Sequence, residues 1–258
     1  MIVGIFHQGS GLGNQLHRYV MTRVLAKDKG YQFGMVNPDN FKGRSFMNLD
    51  MGGVVDLEEG YNQFFEKKVV EDGVDIRGYD PEVNFVQDRT VIDGEFQDER
   101  YFSHRLPEVR EWLKVEPLDM DDNVCVINFR GGEYKLYPDL YLPYKYWDTA
   151  IHSIIAAHSP MRFEVHTDDV GAATDMFRPY LELFGKGGLF KIVNNDIGLN
   201  WRSIRYARHL ILSNSSFAIL PALLNTDVSE VIAPRYWARR NTGVWALPQN
   251  YYNKFTYI

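Results

Sequence analysis

The residues best suited to chemistry fall in short loops that follow apolar, strand-like runs. The first loop, Gly9-Ser10-Gly11-Leu12-Gly13-Asn14-Gln15, comes just after Ile2–Phe6 and His7. Gly11 and Gly13 let backbone approach a ligand, and N–H groups opening the next helix favour an anion or polar oxygen. Asn14 and Gln15 add side-chain amides. A plain tight β-α turn uses the same letters. A dinucleotide fingerprint would need G-x-G-x-x-G and an acidic close to the second strand. Here the third glycine comes one residue early, and the second run ends at Val36.

Three further loops follow the same logic. In Arg130-Gly131-Gly132-Glu133-Tyr134, the arginine is placed to fork onto a diphosphate. Glu133 would hold it or bond a sugar hydroxyl, and a surface ion pair reads equally well. Asp168 and Asp169 follow Met161–His166 and Thr167. Adjacent carboxylates can bind a divalent ion, cap the next helix, or accept hydrogen bonds from a base or ribose. Asn214-Ser215-Ser216-Phe217 opens an apolar helix, where hydroxyls and N–H groups make an anion site or an ordinary serine cap. Upstream, Arg202 and Arg205 add positive charge.

The elements that position these loops alternate in type. Ile2–Phe6 reads as a buried strand. Leu16, Tyr19, Val20, Val24 and Leu25 recur at helical spacing up to a stop at Gly30, and Tyr31–Val36 closes a β-α-β unit. Residues 37–90 suggest short elements and loops. The acidic, proline-bearing stretch Glu116–Asn123 is the boundary, giving an amino-terminal domain over 1–118 and a carboxyl-terminal one over 119–258. Val124–Phe129, Met161–His166, Leu189–Val193, Leu210–Ser213 and Val231–Ala233 read as strands. Tyr144–Ala157 reads as a helix with Trp147, Ile151, Ile154 and Ile155 on one face. This α/β alternation implies parallel sheets with ligands at the carboxyl ends of strands.

Composition narrows the class. The 258 residues, 45% hydrophobic and 24% charged, suit one or two globular domains and exclude wholesale disorder. Twenty-eight Lys and Arg against 34 Asp and Glu leave a net charge of −6, which argues against nucleic acid as partner. A single cysteine, Cys125, excludes an intramolecular disulfide framework, and its place inside a strand suits burial. Apolar runs fall well short of a membrane span, and the amino terminus lacks a basic leader, so a cytoplasmic protein is expected.

Taken in order, these loops resemble the bacterial α-1,2-fucosyltransferase family and its wider inverting superfamily. The family's opening G-G-L-G-N-Q-L-F-Q-Y-A is similar to Gly9–Val20. Its G-Y-x-Q-x-x-x-Y-F is similar to Gly94-Glu95-Phe96-Gln97-Asp98-Glu99-Arg100-Tyr101-Phe102, and its H-x-R-R-G-D-Y to Asn128–Tyr134. F-S-D-D resembles His166–Asp169, N-S-[ST]-F resembles Asn214–Phe217, and V-I-A-P-x-x-W resembles Val231–Trp237. Asn128 stands for the family histidine, Gly131 for its second arginine, Glu133 for an aspartate, and Ala218–Pro221 for S-W-W-G.

The resemblance implies a GT-B fold of two Rossmann-like halves with parallel sheets facing a cleft. It implies GDP-fucose as donor in the carboxyl-terminal half, a glycan acceptor in the other, and metal-independent inversion with no cofactor. Arg130 would bind the pyrophosphate, Ser215, Ser216 and Phe217 the phosphate and sugar, and Asp168 the nucleoside, with Glu133, Asp169, Arg202 and Asn214 nearby. Three candidates remain for the base on the acceptor hydroxyl: Glu95, Asp93 and His7. The departures leave open another deoxysugar donor, such as a rhamnosyl one, and an idle nucleotide-sugar or glycan-binding protein.

Overall fold

The computed structural model describes residues 1–57, 60–67, 69–71, 74–76, 78–158, 161–236, 238–239, 245–246 and 252–258. Trp237, the last residue of the V-I-A-P-x-x-W stretch, lies outside the described residues. The chain divides into two α/β units, Met1–Val115 and Glu116–Ile258. No described helix is long and apolar enough to cross a membrane.

The first unit runs β1 (Ile2–Ile5), α1 (Leu12–Lys29), β2 (Phe33–Val36), β3 (Asn62–Phe65), the antiparallel pair β4 (Val69–Glu71) and β5 (Val74–Ile76), β6 (Thr90–Asp93) and α2 (Leu106–Trp112). Its main sheet is all parallel, in the order β2-β1-β6-β3. Helix α1 ends where the sequence predicts: Gly30 takes φ 69°, and its N–H returns to the carbonyls of Ala26 and Lys27. The helix lies close on β1, because a Cβ at Gly4 would overlap Thr22 Oγ1. Strand β3 lies in the stretch read as short elements and loops, and β6 begins where that stretch ends. Each is only four residues long, and β3 sits on the sheet edge with Asn62, Gln63 and Phe65 exposed, so neither shows an alternating pattern.

The second unit runs β7 (Val124–Phe129), α3 (Tyr144–His158), β8 (Arg162–Thr167), α4 (Val170–Met176), α5 (Arg178–Phe184), β9 (Phe190–Val193), α6 (Ile197–Tyr206), β10 (His209–Leu212), α7 (Ser216–Leu224) and β11 (Glu230–Ala233). A short antiparallel pair, β12 (Ala238–Arg239) and β13 (Trp245–Ala246), precedes β14 (Thr256–Tyr257). The main sheet is parallel, in the order β9-β8-β7-β10-β11-β14. Counted by appearance this is the doubly wound 3-2-1-4-5-6, whose direction of winding reverses between β7 and β10.

The core of this unit is aromatic. Phe129, Trp147, Phe177 and Phe190 are fully buried, and the Phe129 ring lies 5.4 Å from both Trp147 and Phe177. Helix α3 presents Trp147, Ala150, Ile151 and Ile154 inward, but Ile155 is 37% exposed, unlike the expectation. At 3.6 residues per turn, Ile155 has rotated about 80° away from Trp147 and leaves the buried stripe. Cys125, on β7, is buried, and burial pushes its thiol well above the ordinary range.

Candidate functional site

Open α/β sheets bind ligands beyond the carboxyl ends of strands where the winding reverses. In the second unit that point is flanked by the loop after β7 and the loop after β10. The register pairs Asn128 with Leu212, so Arg130 and Asn214 leave adjacent strands at the same level. A buried bond from Ser213 Oγ to Asn128 Oδ1, 2.8 Å, ties the two exits together.

Arg130 is the centre of the first loop. Its Nη1 donates to Asp168 Oδ2 and its Nη2 to Glu133 Oε1 at 3.1 Å. The other Asp168 oxygen accepts the Gly131 N–H at 2.9 Å. The guanidinium lies 5.3 Å from the centre of the Tyr134 ring, and Tyr134 Oη donates to the Asn214 carbonyl at 3.4 Å. Tyr134 thus joins the Arg130 loop to the start of α7. Asn214 Nδ2 donates to the Leu140 carbonyl at 3.0 Å.

Asp169 works differently from its neighbour. Its Oδ1 caps α4 by accepting the Ala172 N–H at 2.9 Å, and its Oδ2 accepts from Lys135 Nζ at 2.5 Å. The Ala172 N–H and then Lys135 hold its carboxyl below the usual range, and the same pairing raises Lys135. Lys135 was not singled out by the sequence, since a lysine in a loop carries no local mark. Among the described residues, no three His, Cys, Asp or Glu side chains converge as metal ligands.

Gly131 has a steric reason. A Cβ there would stand 2.9 Å from Asp169 Cβ and 3.0 Å from Ala172 Cβ, so an arginine would displace the first turn of α4. Helix α7 starts after Ser215, which adopts extended backbone and makes no side-chain capping bond. Ser216 and Phe217, half-buried, form its first turn, and everything from Ala218 to Leu224 is buried. The first-turn N–H groups and the positive end of the helix dipole therefore face the same strand ends as Arg130. Arg202 is not brought to this cluster. Its Nε and Nη2 donate to the carbonyls of Glu116 and Pro117, at 2.9 and 2.8 Å, and tie α6 to the segment before β7. Arg205 lies 5.1 Å from the ring of its neighbour Tyr206.

In the first unit the winding reverses between β1 and β6, and the three base candidates lie at that point. His7 Nε2 is 3.1 Å from Asp93 Oδ1. The same oxygen is 3.1 Å from Arg18 Nη2, which also donates to the Gly94 carbonyl at 2.9 Å. Arg18 comes from the interior of α1 and is almost fully buried, so desolvation lowers its pKa, opposed by Asp93, Glu95 and Glu66. Glu66, just past β3, accepts the N–H groups of Glu95 and Phe96 at 2.7 and 3.0 Å and the Tyr101 hydroxyl at 3.0 Å. Burial raises its carboxyl. These bonds hold Phe96, a buried non-glycine residue at φ 47°.

The glycine loop has mostly structural partners. Gly11 precedes α1 as its cap residue, and the Gly13 carbonyl accepts from His17 Nδ1 at 2.8 Å. Asn14 Oδ1 accepts from Gln97 Nε2 at 3.1 Å. Gln15, fully buried, donates to the Asn40 carbonyl and accepts the Lys42 N–H, at 2.7 and 3.0 Å, fixing the loop after β2. Arg18 and Glu66 escaped the sequence reading. The one available signal was a charge at 18 on the same helix face as Leu25, seven residues on.

No protein-family profile and no curated protein matches the chain. Solved structures do. An Arabidopsis thaliana FUT1 mutant in complex with GDP superposes over 99% of this chain and 76% of that one, with 9% identity and a TM-score of 0.52. NodZ α-1,6-fucosyltransferase co-crystallised with GDP covers 89% of this chain and 93% of its own, at 12% identity and a TM-score of 0.47. E. coli heptosyltransferase WaaC with ADP covers 92% and 87%, at 14% identity and a TM-score of 0.46. The two parallel α/β units, together with the Arabidopsis likeness, place the chain in the GT-B fold class.

Proposed function

We propose that the protein is a glycosyltransferase that moves a sugar from a nucleotide-sugar to a glycan hydroxyl. The second unit binds the donor and the first the acceptor. The observation that carries this reading is the pairing, at the reversal point of the second sheet, of the Arg130 loop with the start of α7. A departing diphosphate needs its growing negative charge met by fixed cations and N–H donors. Arg130, the first turn of α7 and the Ser215 and Ser216 hydroxyls meet it, while Asp168 and Glu133 release the guanidinium as the phosphates arrive. Phe217 lines the sugar site.

The donor is GDP-fucose and the reaction inverts the anomeric carbon to give an α-1,2 linkage, as the motif resemblance suggests. No metal is required. In support, the Asp168 and Asp169 carboxylates are both occupied by cations and backbone N–H groups. One observation favours another deoxysugar nucleotide, such as a rhamnosyl donor: packing against α4 closes position 131 to the second arginine that the fucosyl motif carries. The test is a thermal-shift panel of nucleotides and nucleotide-sugars, with release of free nucleotide measured alongside. GDP and GDP-fucose should raise Tm and the latter should turn over. A shift with a different nucleotide alone would reject the guanine assignment. Binding without release would make the protein an idle binder, and no shift with any nucleotide would sink the reading.

A further inference from the structure

The first unit holds an arrangement that the donor chemistry does not use. His7 follows β1, Asp93 ends β6, and a buried arginine from α1 pins the carboxylate between them. Because a carboxylate only accepts, the proton in the His7–Asp93 bond sits on Nε2. In the neutral ring Nδ1 then carries the lone pair, on a side chain that is 44% exposed. Asp93 Oδ1 already takes two donors, His7 Nε2 and Arg18 Nη2, each at 3.1 Å. Arg18 in turn is held by the carbonyls of Gly94 and Ile5, at 2.9 and 3.3 Å. The imidazole is thus oriented by a carboxylate that is itself fixed, the arrangement a positioned proton acceptor requires.

We propose that His7 is the catalytic base that takes the acceptor's proton, with Asp93 and Arg18 as positioning residues. This inference rests on the glycosyltransferase reading above. The acceptor hydroxyl gives its proton to Nδ1 as its oxygen bonds the anomeric carbon. The bond from that carbon to the diphosphate breaks, its electron pair leaves with the diphosphate, and the imidazolium then yields its proton to water. Asp93 balances the transient positive charge. Glu95 is fixed through its own N–H to Glu66 and adds charge close to Arg18.

Asp93 from β6 contacts His7, Arg18 from α1 shares the same carboxylate oxygen, and Glu95 and Glu66 act on Arg18. His7→Ala should lower kcat by ~10²–10⁴-fold, recover part of the rate with free imidazole, and keep the nucleotide-induced Tm shift. Asp93→Asn should lower kcat with KM little changed, a split that a merely structural role would not give. A His7→Ala protein that keeps the wild-type rate would overturn the assignment alone. Absence of donor turnover by wild type would overturn the glycosyltransferase reading, and this inference with it.

Discussion

Each unit places an arginine among carboxylates at the reversal point of its sheet, and the two arginines are built for opposite purposes. Arg18 projects from inside a helix, has a side chain only 8% exposed, and bonds two backbone carbonyls besides Asp93. Arg130 stands on a loop, is 34% exposed, and is held by side chains that are themselves 31% and 65% exposed. A buried cation with several fixed partners cannot change them without a large loss. Exposed ion pairs contribute about 0–1 kcal/mol each and exchange readily for a better anion. The first arginine therefore fixes geometry, and the second can exchange its carboxylates for another anion.

The comparison breaks most visibly at Arg18. Removing one partner of a buried pair costs about 3–5 kcal/mol because the remaining charge is left uncompensated. Asp93 is partly exposed, so the lower end applies. Arg18→Ala should lower unfolding stability by about 3 kcal/mol in urea titrations monitored by circular dichroism. A loss below about 1 kcal/mol would place Arg18 in the exchangeable class with Arg130.

Next in size is the histidine beside it. His17 is fully buried, and desolvation lowers its pKa from 6.5 to about 4, opposed only in part by its bond to the Gly13 carbonyl. A base whose folded pKa is depressed binds its proton more readily when unfolded. Its contribution is complete above pH 6.5 and is lost as pH falls towards 4. At about 1.4 kcal/mol per unit, the difference amounts to roughly 3 kcal/mol. Glu66, raised by burial, works in the opposite sense and trims the net slope. Stability measured at pH 7 and pH 4 should therefore differ less in His17→Gln than in wild type. An unchanged difference would remove His17 as the acid-sensitive group of this unit.

These contrasts also explain what the sequence could reveal. Helix α1, its stop at Gly30, and the strands β7 and β10 were legible because periodicity and buried runs are local properties. The Arg130, Asp168 and Asn214 loops could be singled out because each follows a buried, strand-like run, although an ion pair or a helix cap uses the same residues. The contact between His7 and Asp93 was not, since 86 residues separate them and β6 is too short to announce its own end. Arg202 misled for a related reason. Its charge near the Asn214 loop suggested a ligand, but only the fold shows it turned onto the Glu116 and Pro117 carbonyls. Gly131 is the instructive departure. A lost arginine reads as lost function in the sequence, whereas the start of α4 packs so closely on Gly131 that a side chain there would have to shift it.

The subtlest expected effect concerns Arg130, because it should appear in binding and not in folding. In the unliganded protein its partners are solvated carboxylates, so Arg130→Ala should change unfolding stability by less than about 1 kcal/mol. A charge-assisted hydrogen bond to a phosphate is stronger, about 1.5–3 kcal/mol, which corresponds to roughly ten- to a hundredfold weaker diphosphate binding by calorimetry. Arg130→Lys should recover little, because a point charge cannot reproduce the planar fork. Should Arg130→Ala destabilise the fold as much as Arg18→Ala while leaving nucleotide affinity intact, the two arginines would share one structural role. The division between a fixed and an exchangeable cation would then fail.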